Sequence, residues 1–206
     1  MTKALSPSKI VCVGRNYRDH AKELGNDVPK EPLIFFKPPS SLIAGGEPIV
    51  LPRVSRQVEY EGEIGIVIGR RVRRVREEDA RDVIRGLVAL NDVTARGLQK
   101  SDGQWARAKG FDSFCAVGPE SGDTAALDDL EVVTRVNGVE RQRGRATEMV
   151  FAVPALIAYI SSIMTLEPGD LIATGTPAGV GPLAPGDRVE IDIGVSRVEN
   201  PVTAER

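Results

Sequence analysis

Three glutamates at alternate positions, Glu59, Glu61 and Glu63, stand at the head of an apolar run, Ile64-Gly65-Ile66-Val67-Ile68. The β-favouring residues predict a strand, and alternate residues of a strand share a face. Carboxylates that close raise one another's pKa unless positive charge lies between them, and a divalent cation is the economical solution. Acids on one face of a strand usually mark a solvated face, and this strand alone reads that way. Three details favour a buried site instead. Gly62 leaves space between Glu61 and Glu63, the strand turns continuously apolar, and a third acid, Asp92, follows a second apolar segment, residues 86–90.

Other residues could work beside such a cation. Asp92, Arg96 and Gln99 fall at i, i+4 and i+7, which places them on one face of a helix, although Gly97 weakens a helix there. They form either an exposed polar face with an Asp–Arg pair or a set with Asp92 on a metal and Arg96 and Gln99 beside a polar ligand. His20 and Glu23, at i and i+3, can touch on a helix. A carboxylate there orients the imidazole and raises its basicity, as a general base requires; an exposed helix of mixed charge is the alternative. Lys109, ahead of Gly110, either reaches into a site or ends a helix. Residues 173–182, Ala-Thr-Gly-Thr-Pro-Ala-Gly-Val-Gly-Pro, form a glycine-rich loop after an apolar strand. Such a loop turns N–H groups toward an anion or oxyanion, or is simply a tight turn. It matches neither the nucleotide P-loop nor the dinucleotide fingerprint. With one histidine and no His/Cys cluster, any metal must take carboxylate and water ligands, which favours Mg2+, Mn2+ or Ca2+ over Zn2+ or copper.

The elements that must position these residues are mostly strands. Residues 9–14 read as a buried strand ended by Gly14. A polar stretch, 15–31, contains one helix-compatible segment, 17–24, and its flanking glycines suit a mobile lid. Leu33-Ile34-Phe35-Phe36 is a short strand between prolines. Residues 77–85 predict a helix with Ala80, Val83 and Ile84 inward. Asn137-Gly138 between two alternating runs signals a hairpin. Pro154 opens an apolar helix over 155–164. Glu167-Pro168-Gly169-Asp170 and Ala184-Pro185-Gly186-Asp187 are turns, leading into strands at 171–174 and 188–193. Many short strands with few helices predict a β-rich α+β fold.

The chain has 206 residues and a net charge of −2, which suits one domain and excludes a globally basic nucleic-acid protein. One basic run, residues 70–76, holds five arginines, but Glu77, Glu78 and Asp79 follow it as the negative first turn of a helix. Sparse aromatics argue against a base-stacking surface. Cys12 and Cys115 sit in apolar segments as small hydrophobes, with neither zinc spacing nor a disulfide framework. The absence of a signal-like start and of a membrane-length apolar run points to a cytoplasmic protein.

Taken in order, the segments Val13-Gly14-Arg15-Asn16-Tyr17 with His20 and Glu23, Phe35-Phe36-Lys37-Pro38, Tyr60-Glu61-Gly62-Glu63, residues 91–96, Lys109-Gly110-Phe111-Asp112 and residues 174–181 resemble the fumarylacetoacetate hydrolase superfamily. The compact length and the His-x-x-Glu segment resemble its acylpyruvase and oxaloacetate decarboxylase branch. The resemblance implies a mixed β-sandwich roll, a single catalytic domain over residues 1–206 and a homodimer. It implies Mg2+ or Mn2+ on Glu61, Glu63 and Asp92, a lid dyad of His20 and Glu23, and Lys109 as a catalytic donor. Arg15, Arg96, Gln99, Gly175 and Thr176 are implied to bind a small 2-oxo acid, with no nucleic-acid or membrane partner.

The activity then expected is hydrolysis of a carbon–carbon bond in 3-acylpyruvates through a pyruvate enolate stabilised by the metal, with His20 activating water. Decarboxylation of oxaloacetate proceeds through the same enolate. Isomerisation or hydration of 2-oxo dienoic acids is the alternative enzyme reading, and a non-catalytic ligand-binding protein the alternative of another class.

Overall fold

The computed structural model describes residues 5–205. Its strands are, in chain order, β1 (Ile10–Gly14), β2 (Leu33–Lys37), β3 (Leu42–Ala44), β4 (Ile49–Leu51), β5 (Val58–Tyr60), β6 (Gly62–Ile68), β7 (Ile84–Asp92), β8 (Thr94–Ala95), β9 (Cys115–Val117), β10 (Glu131–Val136), β11 (Val139–Arg145), β12 (Leu171–Ala173), β13 (Gly181–Pro182), β14 (Arg188–Asp192) and β15 (Arg197–Ala204). The α-helices are α1 (Arg18–Glu23), α2 (Arg96–Ser101), α3 (Ala106–Lys109) and α4 (Val153–Ile163). The fold is the β-rich, mixed sandwich roll expected from the sequence, and among the described residues no helix is long and apolar enough to cross a membrane.

The central sheet has the order β2-β1-β12-β6-β7-β9-β3, a second sheet the order β11-β10-β14-β15-β4, and a small third sheet the order β13-β5-β8. β1 runs parallel to β12, and β3 to β9, while β6 lies antiparallel to both β12 and β7. Ile64, Ile66, Leu87 and Ala89 of the central sheet share one buried cluster with Val132, Val189 and Ile191 of the second sheet and with Leu156 and Ile160 of α4. The opposite face buries Ile10, Cys12, Val67, Val88, Leu90 and Cys115. Burial on both faces is why β6 and β7 read as unbroken apolar runs rather than alternations. The two cysteines are free and buried, and burial pushes the Cys115 thiol up to about 12, leaving it inert.

Local signals act as their chemistry requires. Asn137 and Gly138 both adopt positive φ, +53° and +76°, the pair that a type I′ turn demands between β10 and β11. Gly169 and Gly186 take φ of +90° and +96° in the two Pro-Gly turns. Pro154 sits in the first turn of α4. Two expectations are corrected. Residues Glu77–Val83 form a 3-10 helix, not an α-helix, and Ile84 begins β7. Three residues per turn bring Ala80 and Val83 onto one buried face, and Ile84 packs against the same core from the start of β7. The basic run does lead into this helix, and Arg76 pairs there with Glu78 and Asp79.

Asp170, at the end of one of these turns, ties the chain's beginning to its end. Its buried carboxylate accepts from the Ser8 N–H and hydroxyl, the Lys9 N–H and ammonium, and the Glu167 N–H. Burial works against its charge, but these donors outweigh it and hold the carboxyl below the ordinary range. A carboxyl whose folded-state pKa is depressed stabilises the fold above its unfolded value, and the contribution is lost as pH falls through the folded value. Asp170→Asn is therefore expected to cost about 1–3 kcal/mol at neutral pH. Denaturant titrations of both proteins should converge on acidification; a gap that persists in strong acid would count against the charge as its source.

Candidate active site

Two neighbouring strands change sheets at the same level, and this is what brings the acids together. β5 pairs with β8 and β13 in the small sheet, whereas β6, after the single residue Glu61, pairs with β7 and β12. β7 ends at Asp92, and the chain re-enters the small sheet at Thr94. The two changeovers lie side by side: Gly62 pairs with Asn91, the Asp92 N–H donates to the Glu61 carbonyl at 2.8 Å, and the Glu61 N–H donates to Asn91 Oδ1 at 3.1 Å.

All the acids are buried, so the solvated-face alternative fails. The single expected strand is corrected to two, because it is interrupted at Glu61. Glu61, Glu63 and Asp92 converge, with one oxygen from each lying within 4.8 Å of the others, and Glu59 joins them through Arg96, which bonds both Glu59 and Glu61. Gly62 has a different reason from the one expected. A Cβ there would lie 2.0 Å from Thr134 Oγ1 and 3.1 Å from Ile191, so the glycine admits the second sheet.

Asp92 is not on a helix with Arg96 and Gln99, since it ends β7 and Arg96 opens α2. Arg96 is buried and spans two acids, with Nε on Glu59 Oε2 and Nη2 on Glu61 Oε1, each at 2.6 Å. Its Nη1 donates to Gln99 Oε1. Lys109, on α3, donates to Glu61 Oε2 and Asp92 Oδ2, each at 2.7 Å, and stands over the Phe35 ring. Lys37, which the sequence reading did not place in the site, donates to Asp92 Oδ1 at 2.6 Å and to the Val93 carbonyl at 3.0 Å. Its signal was a lysine ending a short apolar strand, where a buried cation needs a buried acid.

These contacts set the protonation of the cluster. Burial raises the Glu61 carboxyl, but Lys109 and Arg96 outweigh it and hold the group well below the usual range. Glu63 goes the other way, raised by burial and by Asp92 and Glu61. Burial disfavours the Lys109 ammonium, yet Asp92 and Glu61 raise its pKa. Lys109 thus presents positive charge to both carboxylates.

The glycine-rich loop serves the acids rather than an open oxyanion hole. The Gly175 N–H donates to Glu63 Oε2 at 2.7 Å and the Gly179 N–H to Glu23 Oε1 at 3.0 Å. Gly175 has φ +102°, and a Cβ there would meet Asn16 Cβ at 2.7 Å. Its implied contact with substrate gives way to this positioning of Glu63. The Thr176 hydroxyl donates to the Gly62 carbonyl and accepts from Gln142 Nε2. Gln142 also accepts the Gly62 N–H, so a residue of the second sheet locks the loop onto β6.

On α1, His20 is buried, and its Nδ1 lies 3.2 Å from Glu23 Oε2. The mixed-charge exposed helix is excluded for this residue. A cavity of about 360 Å3 is lined by His20 and Glu23, by Glu61 and Glu63, by Arg96, Gln99, Lys100, Lys109 and Thr176, and by Arg15, Phe35 and Trp105. Thus the helix, the acids and the loop close on one space, and of the expected substrate-contacting residues Gly175 alone is outside its lining.

Residues 9–203 match the profile of the fumarylacetoacetate (FAA) hydrolase C-terminal family. The chain belongs to this family. It is 47% identical over 199 residues to a mitochondrial oxaloacetate tautomerase of Arabidopsis thaliana, covering 93% of this chain and 89% of the relative. Among solved structures it resembles a 5-carboxymethyl-2-hydroxymuconate delta-isomerase from Mycobacterium smegmatis, with a TM-score of 0.91 and 44% identity over 98% of this chain and 81% of that one. A 2-hydroxyhepta-2,4-diene-1,7-dioate isomerase from Mycobacterium marinum gives 0.89 and 46%, covering 98% and 76%.

Members of this family typically bind a divalent metal, and the residues present fit one. Three buried carboxylates offer only hard oxygen donors, suited to Mg2+ or Mn2+, and the Lys109 ammonium already shows that Glu61 and Asp92 face a cation. Calorimetric titration should detect Mn2+ uptake by the wild type. Asp92→Asn or Glu63→Gln is expected to weaken it more than the roughly 10–100-fold typical of outer partners, and Lys37→Met by about that amount. Unchanged affinity in Asp92→Asn would move the metal elsewhere.

Proposed function

We propose that this protein moves a proton at the carbon beside the keto group of a short 2-oxo acid, interconverting keto and enol forms of oxaloacetate or a close analogue. The observation that carries the reading is the position of His20, buried against Glu23 and lining the cavity that holds the carboxylate cluster. The name of the Arabidopsis thaliana relative and the isomerase names of the two structural neighbours support it.

The residues divide the work as follows. Glu61, Glu63 and Asp92 would hold a divalent cation, which would supply Lewis-acid polarisation of the 2-oxo group. Glu23 engages His20 Nδ1, which leaves Nε2 to take the proton from carbon and return it to carbon or oxygen. Glu23 is itself held by the Gly179 N–H. The third donor of Lys109, not used by Glu61 or Asp92, offsets charge on the enolate oxygen. Gln99 Nε2 and Lys100 offer donors for a substrate carboxylate, since Gln99 Oε1 is already engaged by Arg96. Phe35 and Trp105, packed edge to face at 5.1 Å, supply apolar walls that exclude water.

Hydrolysis of 3-acylpyruvates is the second reading, favoured by the same dyad, because a base able to take a proton from carbon can equally take one from water. It differs in requiring that water at the distal carbonyl. The His20–Glu23 pair, lining the cavity that holds the acids, speaks against the non-catalytic alternative.

Enol absorbance of oxaloacetate and pyruvate release from acetylpyruvate, both followed with Mg2+, separate the readings. Accelerated enolisation is expected in the wild type, with a loss of about 10²–10⁴-fold in His20→Ala. Asp92→Asn should impair either reaction. Pyruvate release without faster enolisation would replace the tautomerase reading by the hydrolase one.

A further inference from the structure

Both backbone groups of Gly179 are engaged. Its N–H donates to Glu23 Oε1 at 3.0 Å, and its carbonyl accepts from the Tyr60 hydroxyl, also at 3.0 Å. The other carboxylate oxygen of Glu23 meets His20 Nδ1. One line of contacts therefore runs from Tyr60 through Gly179 and Glu23 to His20. Among the described residues, Glu23 has no side-chain partner besides these two. Its side chain is 33% exposed, so water competes for the carboxylate.

The glycines of the loop are fitted to this line. Gly179 has φ +101°, and a Cβ there would lie 2.2 Å from the Arg141 carbonyl oxygen. A Cβ on Gly181 would lie 2.9 Å from the Tyr60 hydroxyl. Glycine turns more freely about its backbone bonds than any other residue. An N–H on Gly179 keeps its aim only if the far side of the residue is held too, and Tyr60 supplies that hold. Tyr60 is itself well fixed. It is 4% exposed and ends β5, directly before Glu61. In the small sheet β5 pairs with β13 at Gly181 and with β8 at Thr94, and β8 follows Asp92. The small sheet thus ties the glycine-rich loop to both joints that carry the acids.

We infer that Tyr60 is a positioning residue for the His20–Glu23 dyad. Its hydroxyl fixes Gly179, and Gly179 aims the Glu23 carboxylate so that His20 keeps its proton on Nδ1 and leaves Nε2 free. The small sheet and this hydroxyl together set the dyad in register with the acid cluster. The inference rests on the proposed function only in taking Nε2 as the working atom.

His20 is the one histidine of the chain, so 15N NMR of the imidazole in Mg2+-loaded protein reads the dyad directly. With the ring neutral, the ratio of the Nδ1–H to the Nε2–H tautomer measures the hold of Glu23. Tyr60→Phe keeps the ring and removes the hydroxyl. It is expected to lower the ratio about 2–10-fold, the size of one net hydrogen bond, while Mn2+ affinity stays unchanged. Gly181→Ala crowds the hydroxyl with the tyrosine in place and should shift the ratio in the same direction. Glu23→Ala should lower it further, and adding Tyr60→Phe to that variant should change nothing more, because the two act in series. A ratio that both Tyr60→Phe and Gly181→Ala leave unchanged would overturn the inference. So would a Tyr60→Phe shift that persists at full size beside Glu23→Ala. No substrate enters this measurement, and oxaloacetate enolisation on the same preparation reports separately on the proposed function. Enolisation without a tautomer shift sinks the role of Tyr60 alone, and a shift without enolisation sinks the tautomerase reading alone.

Discussion

The site depends on a balance of charge taken out of water. Glu59, Glu61, Glu63 and Asp92 are all buried, and so are Arg96, Lys109 and Lys37. Each ion alone would carry a desolvation penalty of several kcal/mol, and mutual pairing is what makes their burial tolerable. The pairing is incomplete by one positive charge, and the deficit falls on Glu63, whose carboxylate accepts, among the described residues, only the backbone N–H of Gly175. Burial, Asp92 and Glu61 accordingly raise its pKa. A divalent cation would overshoot the balance, so the loaded site would in turn attract an anion such as the carboxylate of a 2-oxo acid.

Holding these charges requires the backbone to be rigid where they meet. The changeovers at Glu61 and Asp92 supply this, because each residue is pinned between two sheets by main-chain pairing on either side. Side chains at such a joint have little freedom to relax away from one another. The second sheet then completes the arrangement from behind, since Gln142 reaches both the Gly62 N–H and Thr176. The catalytic face is thus an outcome of sheet packing rather than of the loops alone.

The segment that carries the dyad is attached to this frame by few bonds. α1 carries His20 and Glu23, and Glu23 is held by one N–H from the glycine-rich loop. Asn16, just ahead of the helix, bonds to the Thr174 carbonyl and to both backbone groups of Phe151. The segment is therefore anchored at its base and lightly held at its tip, a distribution that suits a cover over the cavity.

The sequence by itself determined the local elements and the chemistry on offer. Alternating or unbroken apolar runs, the Asn137-Gly138 turn, the Pro-Gly turns and Pro154 specify strands, turns and α4 through short-range sterics and periodicity. Carboxylates without a His/Cys cluster restricted the metal class, and His20 with Glu23 suggested a dyad because three residues of one helix suffice to join them. What only tertiary structure decided is where long-range partners meet. Asp92 left its expected helix because β7 carries it to the joint, Arg96 bridged Glu59 to Glu61, and Lys37 entered the cluster from a strand 55 residues distant. Gly62 and Gly175 are glycines for the sake of Thr134 and Asn16, which lie far off in sequence. Local spacing reports on torsions and faces within one element, whereas burial of a charge is settled by whichever opposite charge another element delivers to it.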